Sequence, residues 1–259
     1  EDWTNGNIQI KEYMKIRQIS QHNALSFKFT SGGTQFFPLS DDEGAAASGA
    51  AVSAASCGGE CAAARQMIGM EEMYSLLKAR TQDTQESCPE VAWMQNHYKW
   101  IVWKLASMER AFPSIFGGRW LTPDRVMLQL LHRYDKEVLG STRSVLLQIK
   151  QRDQMGSQHL VLCVSGIETE GEQVMLQLMD GWHSIQAIAS PSIAQLTRLG
   201  KIFIGQKLRL YGSDTTQEEG KDAVLKISCN GARRAEWHAK LGAQTAPPPL
   251  IGIRTIKAG

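Results

Sequence analysis

Hydrophobic and polar positions along this chain change their period once, near Gly156. Upstream the period is helical. Trp93, His97, Trp100, Ile101, Lys104 and Met108 recur at three- and four-residue steps, with Trp103 to one side, so one long helix carries two apolar faces. It ends near Phe112-Pro113, because proline cannot continue the hydrogen-bond ladder. A second helix starts at Leu121-Thr122-Pro123-Asp124. Thr122 caps it, Pro123 has the φ of a first helical position, and Asp124 suits the positive helix end. Its stripe of Val126, Met127, Leu130, Leu131 and Tyr134 packs inward. Ser141 is expected to cap a third helix carrying Val145, Leu146 and Ile149, with Arg143, Lys150 and Arg152 outside. Gly69 to Arg80 reads as a shorter helix with Met70, Met73, Tyr74 and Leu77 along one side. Tyr13 to Phe37 reads as short strand or irregular structure, broken at Ser31-Gly32-Gly33-Thr34.

Downstream, His159 to Ile167, Val174 to Met179 and Trp182 to Ile188 are strand-like runs, and Asp180-Gly181 is the strongest hairpin signal. A helical piece from Pro191 to Leu199 follows, then strands at Lys207 to Tyr211 and Ala223 to Cys229. Three strands, a helix and two strands is the order of an oligonucleotide-binding (OB) fold. The class is therefore α+β: a mainly helical domain over residues 1–157, then a five-stranded barrel over residues 158–259. The run from Leu250 to Ile256 either completes the barrel or leads into a next domain. Asp41 to Ala64 is almost wholly Asp, Glu, Ala, Gly and Ser, too poor in large side chains to order itself, and predicts a disordered insertion at about 41–66.

The composition, 259 residues with 42% hydrophobic content, suffices for one large or two ordinary domains. No signal peptide is expected, and there is no apolar run near the ~20 residues of a membrane span. With no initiating methionine, the chain is expected to be a soluble piece of something longer. Five scattered cysteines form no framework and imply a reducing compartment. Cys57 and Cys61 could begin a metal site, yet no second pair follows at zinc-finger spacing, and no metal is expected. Charge is graded. Residues 1–92 hold seven Lys/Arg against twelve Asp/Glu (−5), residues 93–158 ten against five (+5), and residues 159–259 eleven against nine (+2). The helical segment is thus the part suited to an acidic partner, although ordinary solvated bases read the same way.

Four of the seven tryptophans lie between Trp93 and Leu131, among those bases. Each alone reads as core; together they read as a place where something docks, since tryptophan is enriched at interfaces. Small barrels bind single strands through a basic groove with aromatic platforms. Trp182 and His183 with Lys201, Lys207, Arg209 and Lys226 are the candidates here, while Trp182 reads equally as core or interface. Enzyme motifs are missing: no G-x-S-x-G, H-E-x-x-H, phosphate loop or dinucleotide fingerprint occurs. His97 with Glu109, or His132 with Asp135, would be acid/base pairs lacking a nucleophile. No catalysis and no cofactor are expected.

The blocks NHYKWIVWKLASMERAFP and LTPDRVMLQLLHRYDKE resemble the helical domain of the breast cancer type 2 susceptibility protein family. The resemblance runs on through QRDQMGSQHLVLCVSGI, LMDGWHSIQA, IGQKLRL and LKIS into that family's first OB fold, covering about Ser26 to Leu241. It implies a nuclear recombination mediator whose helical domain and first barrel grip a small, very acidic split-hand/split-foot-type protein. Single-stranded DNA would bind weakly here, and a RecA-type recombinase through other parts of the parent. Partner contact falls to Trp93, His97, Trp100, Trp103, Lys104, Arg133 and Trp182, and fold maintenance to Ile101, Leu121, Asp180 and Gly205. On this reading Trp100→Ala weakens acidic-peptide binding more than it lowers the melting temperature. A protein-only scaffold and a stand-alone single-strand-binding module are the competing classes.

Overall fold

The computed structural model describes residues 18–30, 67–82, 88–116, 120–216 and 222–244. The tract at about 41–66 with Cys57 and Cys61, and the run from Leu250 to Ile256, lie outside the described residues. The upstream helices are α1 (Met70–Gln82), α2 (Val91–Ala111), α3 (Pro113–Phe116) and α4 (Pro123–Tyr134), the last running into a π-helical turn at Asp135–Leu139. α2 buries Met94, His97, Tyr98, Trp100, Ile101, Val102, Trp103, Leu105, Ala106 and Glu109. A helix apolar on nearly all sides belongs in the middle of a bundle. Met73 and Leu77 of α1, Val126, Met127 and Leu130 of α4, and Ala24 and Phe29 close around it. Tyr98 donates its hydroxyl to the Phe27 carbonyl at 2.7 Å and Arg110 donates to the Ile19 carbonyl at 2.9 Å, fastening the upstream segment to α2. Two short strands, β1 (Phe29–Thr30) and β2 (Met67–Ile68), pair antiparallel, a pairing too short to show in the hydrophobic pattern.

The helix starts follow local chemistry. α4 begins as the sequence predicts, with the Thr122 hydroxyl accepting from the Arg125 amide and proline in the first turn. The next helix, α5 (Val145–Lys150), is capped by Ser144, which accepts from the Leu147 amide, and not by Ser141. Ser141 sits at φ 49°, in a linker that is still non-helical at that point. Val145, Leu146 and Ile149 of α5 pack into the barrel core rather than the bundle.

The barrel is built from β3 (Leu160–Glu170), β4 (Gln173–Met179), β5 (Ser184–Ala189), helix α6 (Pro191–Arg198), β6 (Lys207–Leu210), β7 (Asp214–Thr216), β8 (Val224–Ile227), β9 (Ala232–Arg234) and β10 (Gly242–Ala243). The sheet order is β7-β8-β5-β4-β3-β6-β9, with β10 on β3. β5 and β8 are parallel and the other pairs antiparallel. β6 and β7 are one bent strand interrupted at Tyr211–Ser213, so the sheet curls back on itself as the expected five-strand order requires. Alternation is visible along β5, β6 and β8, whose inward residues include Ile185, Ala187, Leu208, Leu210, Leu225 and Ile227. β3 shifts register between Val164 and Gly166. There the Gly205 amide donates to the Val164 carbonyl at 2.7 Å, with Gly205 at φ +94°, a conformation open to glycine. The chain from Trp182 was expected to be strand; Trp182 and His183 instead form the β4–β5 turn. No described helix is long and apolar enough to cross a membrane.

Candidate functional site

The β4–β5 turn presses against the bundle, and the polar side chains that meet there come from four separate parts of the sequence. Asp180 shapes the turn: its Oδ1 accepts from the Trp182 and His183 amides at 2.9 Å each, and Gly181 takes φ +97°. Its Oδ2 accepts from the Leu146 amide at 3.1 Å, in the first turn of α5, where an anion is favoured. Arg133, at the end of α4, reaches into the turn and donates to the Gly181 carbonyl at 2.7 Å and to His97 Nδ1 at 2.9 Å. Asn96 donates to the Trp182 carbonyl at 2.9 Å and accepts from Trp100 Nε1 at 3.0 Å.

Glu137 is the centre of this junction. Its Oε2 accepts from Trp93 Nε1 at 2.9 Å and lies 2.8 Å from His97 Nε2, while Oε1 lies 3.0 Å from His183 Nε2. A guanidinium can only donate, so His97 Nδ1 is an acceptor and Nε2 carries the proton given to Glu137. Burial lowers the His97 pKa to about 4, against the pull of Glu137, and the ring is neutral at pH 7. Burial pushes the Glu137 carboxyl up, yet hydrogen bonds from His183 and His97 outweigh it and hold the group at about 2. Burial lowers Arg133 to about 10, which still leaves it charged. Ligand atoms of His97, Glu137 and His183 lie within 4.8 Å of one another, a spacing that would suit a metal. The Arg133 bond argues otherwise, because it leaves the proton, and not a free lone pair, on His97 Nε2. The cluster is a hydrogen-bonded clasp between bundle and barrel.

This geometry relocates several residues singled out from the sequence. His97 (0% exposed), Trp100 (1%), Arg133 (3%) and Trp103 (6%) face the chain's own interior, so in this state they maintain the fold and offer no surface to a partner. Trp93 is half-buried over His97, with ring centroids 4.2 Å apart. Trp182 is half-buried beneath the Arg133 guanidinium at 5.3 Å. The carboxylate partner of His97 is Glu137; Glu109 instead accepts from the Leu121 amide at 3.0 Å. The six expected DNA contacts sit on four different parts of the barrel. Trp182 and His183 serve the junction, Lys207 and Arg209 lie on β6, Lys226 on β8 opposite Asp214, and Lys201 is exposed beyond α6. Only Lys104 of the expected partner set is exposed.

Lys104 marks a surface that periodicity missed. A shallow cleft of about 100 Å³ is lined by Lys104, Leu105, Met108, Trp120, Arg125, Leu128 and Gln129. The Trp120 ring is held between Phe116 at 4.2 Å and the Arg125 guanidinium at 3.8 Å, and its buried Nε1 has no acceptor among the described residues. Desolvation, together with the charges of Arg133 and Lys207, holds the Lys104 amine below its ordinary pKa. No described carboxylate pairs with Lys104 or Arg125. Leu128 is 51% exposed although it lies in a helix with a well-formed inner stripe. An apolar residue off that stripe was the one sequence signal of this cleft.

Comparisons with known proteins agree with this architecture. A family profile described as "BRCA2, helical" matches residues 7–141, and one described as "BRCA2, oligonucleotide/oligosaccharide-binding, domain 1" matches residues 144–245. Two relatives from Arabidopsis thaliana, Protein BREAST CANCER SUSCEPTIBILITY 2 homolog A and homolog B, are 30% and 31% identical over 198 residues, 68% of this chain. The chain spans 17% of the length of each. Among solved structures, Pot1pC of Schizosaccharomyces pombe bound to single-stranded DNA aligns over 33% of this chain and 87% of its own, at 11% identity and a TM-score of 0.27. A likeness that small carries no weight for the fold or its ligand. With both profiles matching in order over a helical bundle joined to a curled barrel, the chain belongs to the BRCA2 family and comprises its helical domain and first OB domain.

Proposed function

We propose that this segment is the partner-docking part of a nuclear homologous-recombination mediator, and that it takes a small acidic protein of the split-hand/split-foot type on the Lys104–Trp120–Arg125 cleft. One observation carries the reading: two bases, Lys104 and Arg125, with no carboxylate partner among the described residues, in a cleft lined by Trp120 and an exposed leucine. A carboxylate-bearing chain with an apolar anchor supplies what all of these lack. Charge-assisted bonds to Lys104 and Arg125 would orient it, and Leu128 and Met108 would bury its anchor. The barrel is a weak single-strand binder in this reading. A RecA-type recombinase engages other parts of the parent protein, and DNA double-strand-break repair is the activity of the whole.

Calorimetric titration of the chain with the acidic protein tests this. Arg125→Ala should weaken binding roughly tenfold, from the loss of one charge-assisted contact of ~1.5 kcal/mol, and added salt should narrow the difference. Wild type that fails to bind at low salt overturns the reading. Binding unaffected by Arg125→Ala and by Lys104→Ala would place the partner elsewhere.

A further inference from the structure

Trp237 is the only exposed tryptophan among the described residues, at 58%, and takes no part in the junction or in the cleft. It follows β9 at the barrel's margin, where Lys207 donates to the Trp237 and Ala239 carbonyls at 2.6 and 2.7 Å. The Lys207 amine lies 5.5 Å from the indole centroid, and the Phe112 ring meets it edgewise at 5.7 Å. The ring is therefore positioned by its neighbours while more than half of it faces solvent.

The ladder beside it is basic. β6 and β9 place Arg209 directly opposite Arg233, and Leu208 opposite Arg234. Like charges directly opposed on a ladder work against folding. Along this ribbon and its continuation, four bases (Lys207, Arg209, Arg233, Arg234) face one acid, Glu236, which is already paired with Arg209. Arg233 and Arg234 are both exposed.

We propose that this strip is a single-stranded nucleic-acid site, with a base stacked on Trp237 and flanking phosphates against Arg233 and Arg234. It rests on the single-strand part of the proposed function and gives that part a location other than Trp182 and His183, whose side chains serve the junction. A stacking platform beside bases on an open ribbon is what a strand of any sequence requires. An acidic peptide fits it less well, because Arg209 here already has Glu236, whereas Lys104 and Arg125 have no carboxylate partner among the described residues and lie beside the exposed Leu128.

The test is anisotropy of a fluorescein-labelled oligothymidylate titrated with the chain across a salt series, with Trp237→Ala and Trp237→Leu checked by thermal melts. Leucine keeps an apolar contact with Phe112 and removes only the stacking ring. Both variants should bind roughly ten- to a hundredfold more weakly. Arg233→Ala with Arg234→Ala should make the log–log salt slope shallower by about 1.4, for two phosphates. Wild-type binding that both tryptophan variants retain in full overturns this site while leaving the single-strand reading intact. No wild-type binding at low salt overturns both. Loss of acidic-protein binding in Trp237→Leu, with oligonucleotide binding unchanged, overturns it by assigning the ring to the docking face.

Discussion

Replacing Glu137 by glutamine keeps the shape of the clasp and removes its charge, and the structure gives two routes to the size of the effect. By linkage, a carboxyl held at about 2 against an ordinary 4.5 differs by about 2.5 in pKa. At ~1.36 kcal/mol for each, that is roughly 3.4 kcal/mol. The side chain is 6% exposed, and residual screening by water brings the figure to about 2–3 kcal/mol. By hydrogen bonds, Glu137 accepts from Trp93, His97 and His183. Turning three charge-assisted bonds into neutral ones, at about 1 kcal/mol each, gives a similar sum. The folded pKa lies below the unfolded one, so the stabilisation is present above about pH 4.5 and is lost as pH falls from there toward about 2. His97 acts in the same direction at higher pH. It stays neutral when folded down to about 4 but titrates near 6.5 when unfolded, so stability falls as pH drops through that window. Urea unfolding of wild type and Glu137→Gln should therefore differ by about 2–3 kcal/mol at pH 7, and by roughly 1 kcal/mol less near pH 3.5. A difference below about 0.5 kcal/mol at pH 7, or one that does not change with pH, would refute the clasp.

Three further substitutions probe the same architecture. Arg133→Lys removes the fork that spans His97 Nδ1 and the Gly181 carbonyl, which one ammonium cannot replace, and should destabilise by about 1.5–3 kcal/mol in a denaturant melt. Asp180→Asn turns one of two accepting oxygens into a donor facing amides of the turn or of α5, with an expected loss of about 1–3 kcal/mol by the same assay. Gly205→Ala meets nothing within 4 Å, so its whole penalty is the backbone at φ +94°, about 1–2 kcal/mol, and a crystal structure of the variant should show the loop unmoved.

Much of the fold was legible because it follows from local rules. Thr122-Pro123 marks a helix start whatever surrounds it, and strands β3 to β6 announce themselves by runs of apolar and β-branched residues between glycine turns. Elements that depend on partners were not legible. β7 and β9 are three residues each and exist because β8 and β6 offer edges to pair with. The π turn that presents Glu137 has no periodic signature. The site shows the same division. The tryptophan-rich stretch stood out correctly as unusual, but tryptophan density cannot distinguish an interface between proteins from one between two domains of a single chain. The deciding contacts, Glu137 to His183 and Arg133 to Gly181, join residues 46 and 48 apart. The exposed ring of Trp237 and its half-buried neighbour Phe112 lie just past the ends of elements, where a helical or strand period says least.

The most direct test of the account compares Trp100→Phe with Trp120→Phe by thermal melt and by titration with the acidic protein, well below either melting temperature. Trp100 is 1% exposed and its N–H is used by Asn96, so phenylalanine leaves a cavity and an unpaired Asn96 oxygen. That variant should lose about 2–3 kcal/mol of stability, with binding by the folded protein unchanged. Trp120→Phe keeps a ring beside Phe116 and Arg125 but removes the larger indole that lines the cleft, and should weaken binding roughly tenfold while the melt moves little. The opposite pattern, with Trp100→Phe losing partner affinity at an unchanged melting temperature and Trp120→Phe binding normally, would contradict the account and return the buried tryptophans to the partner.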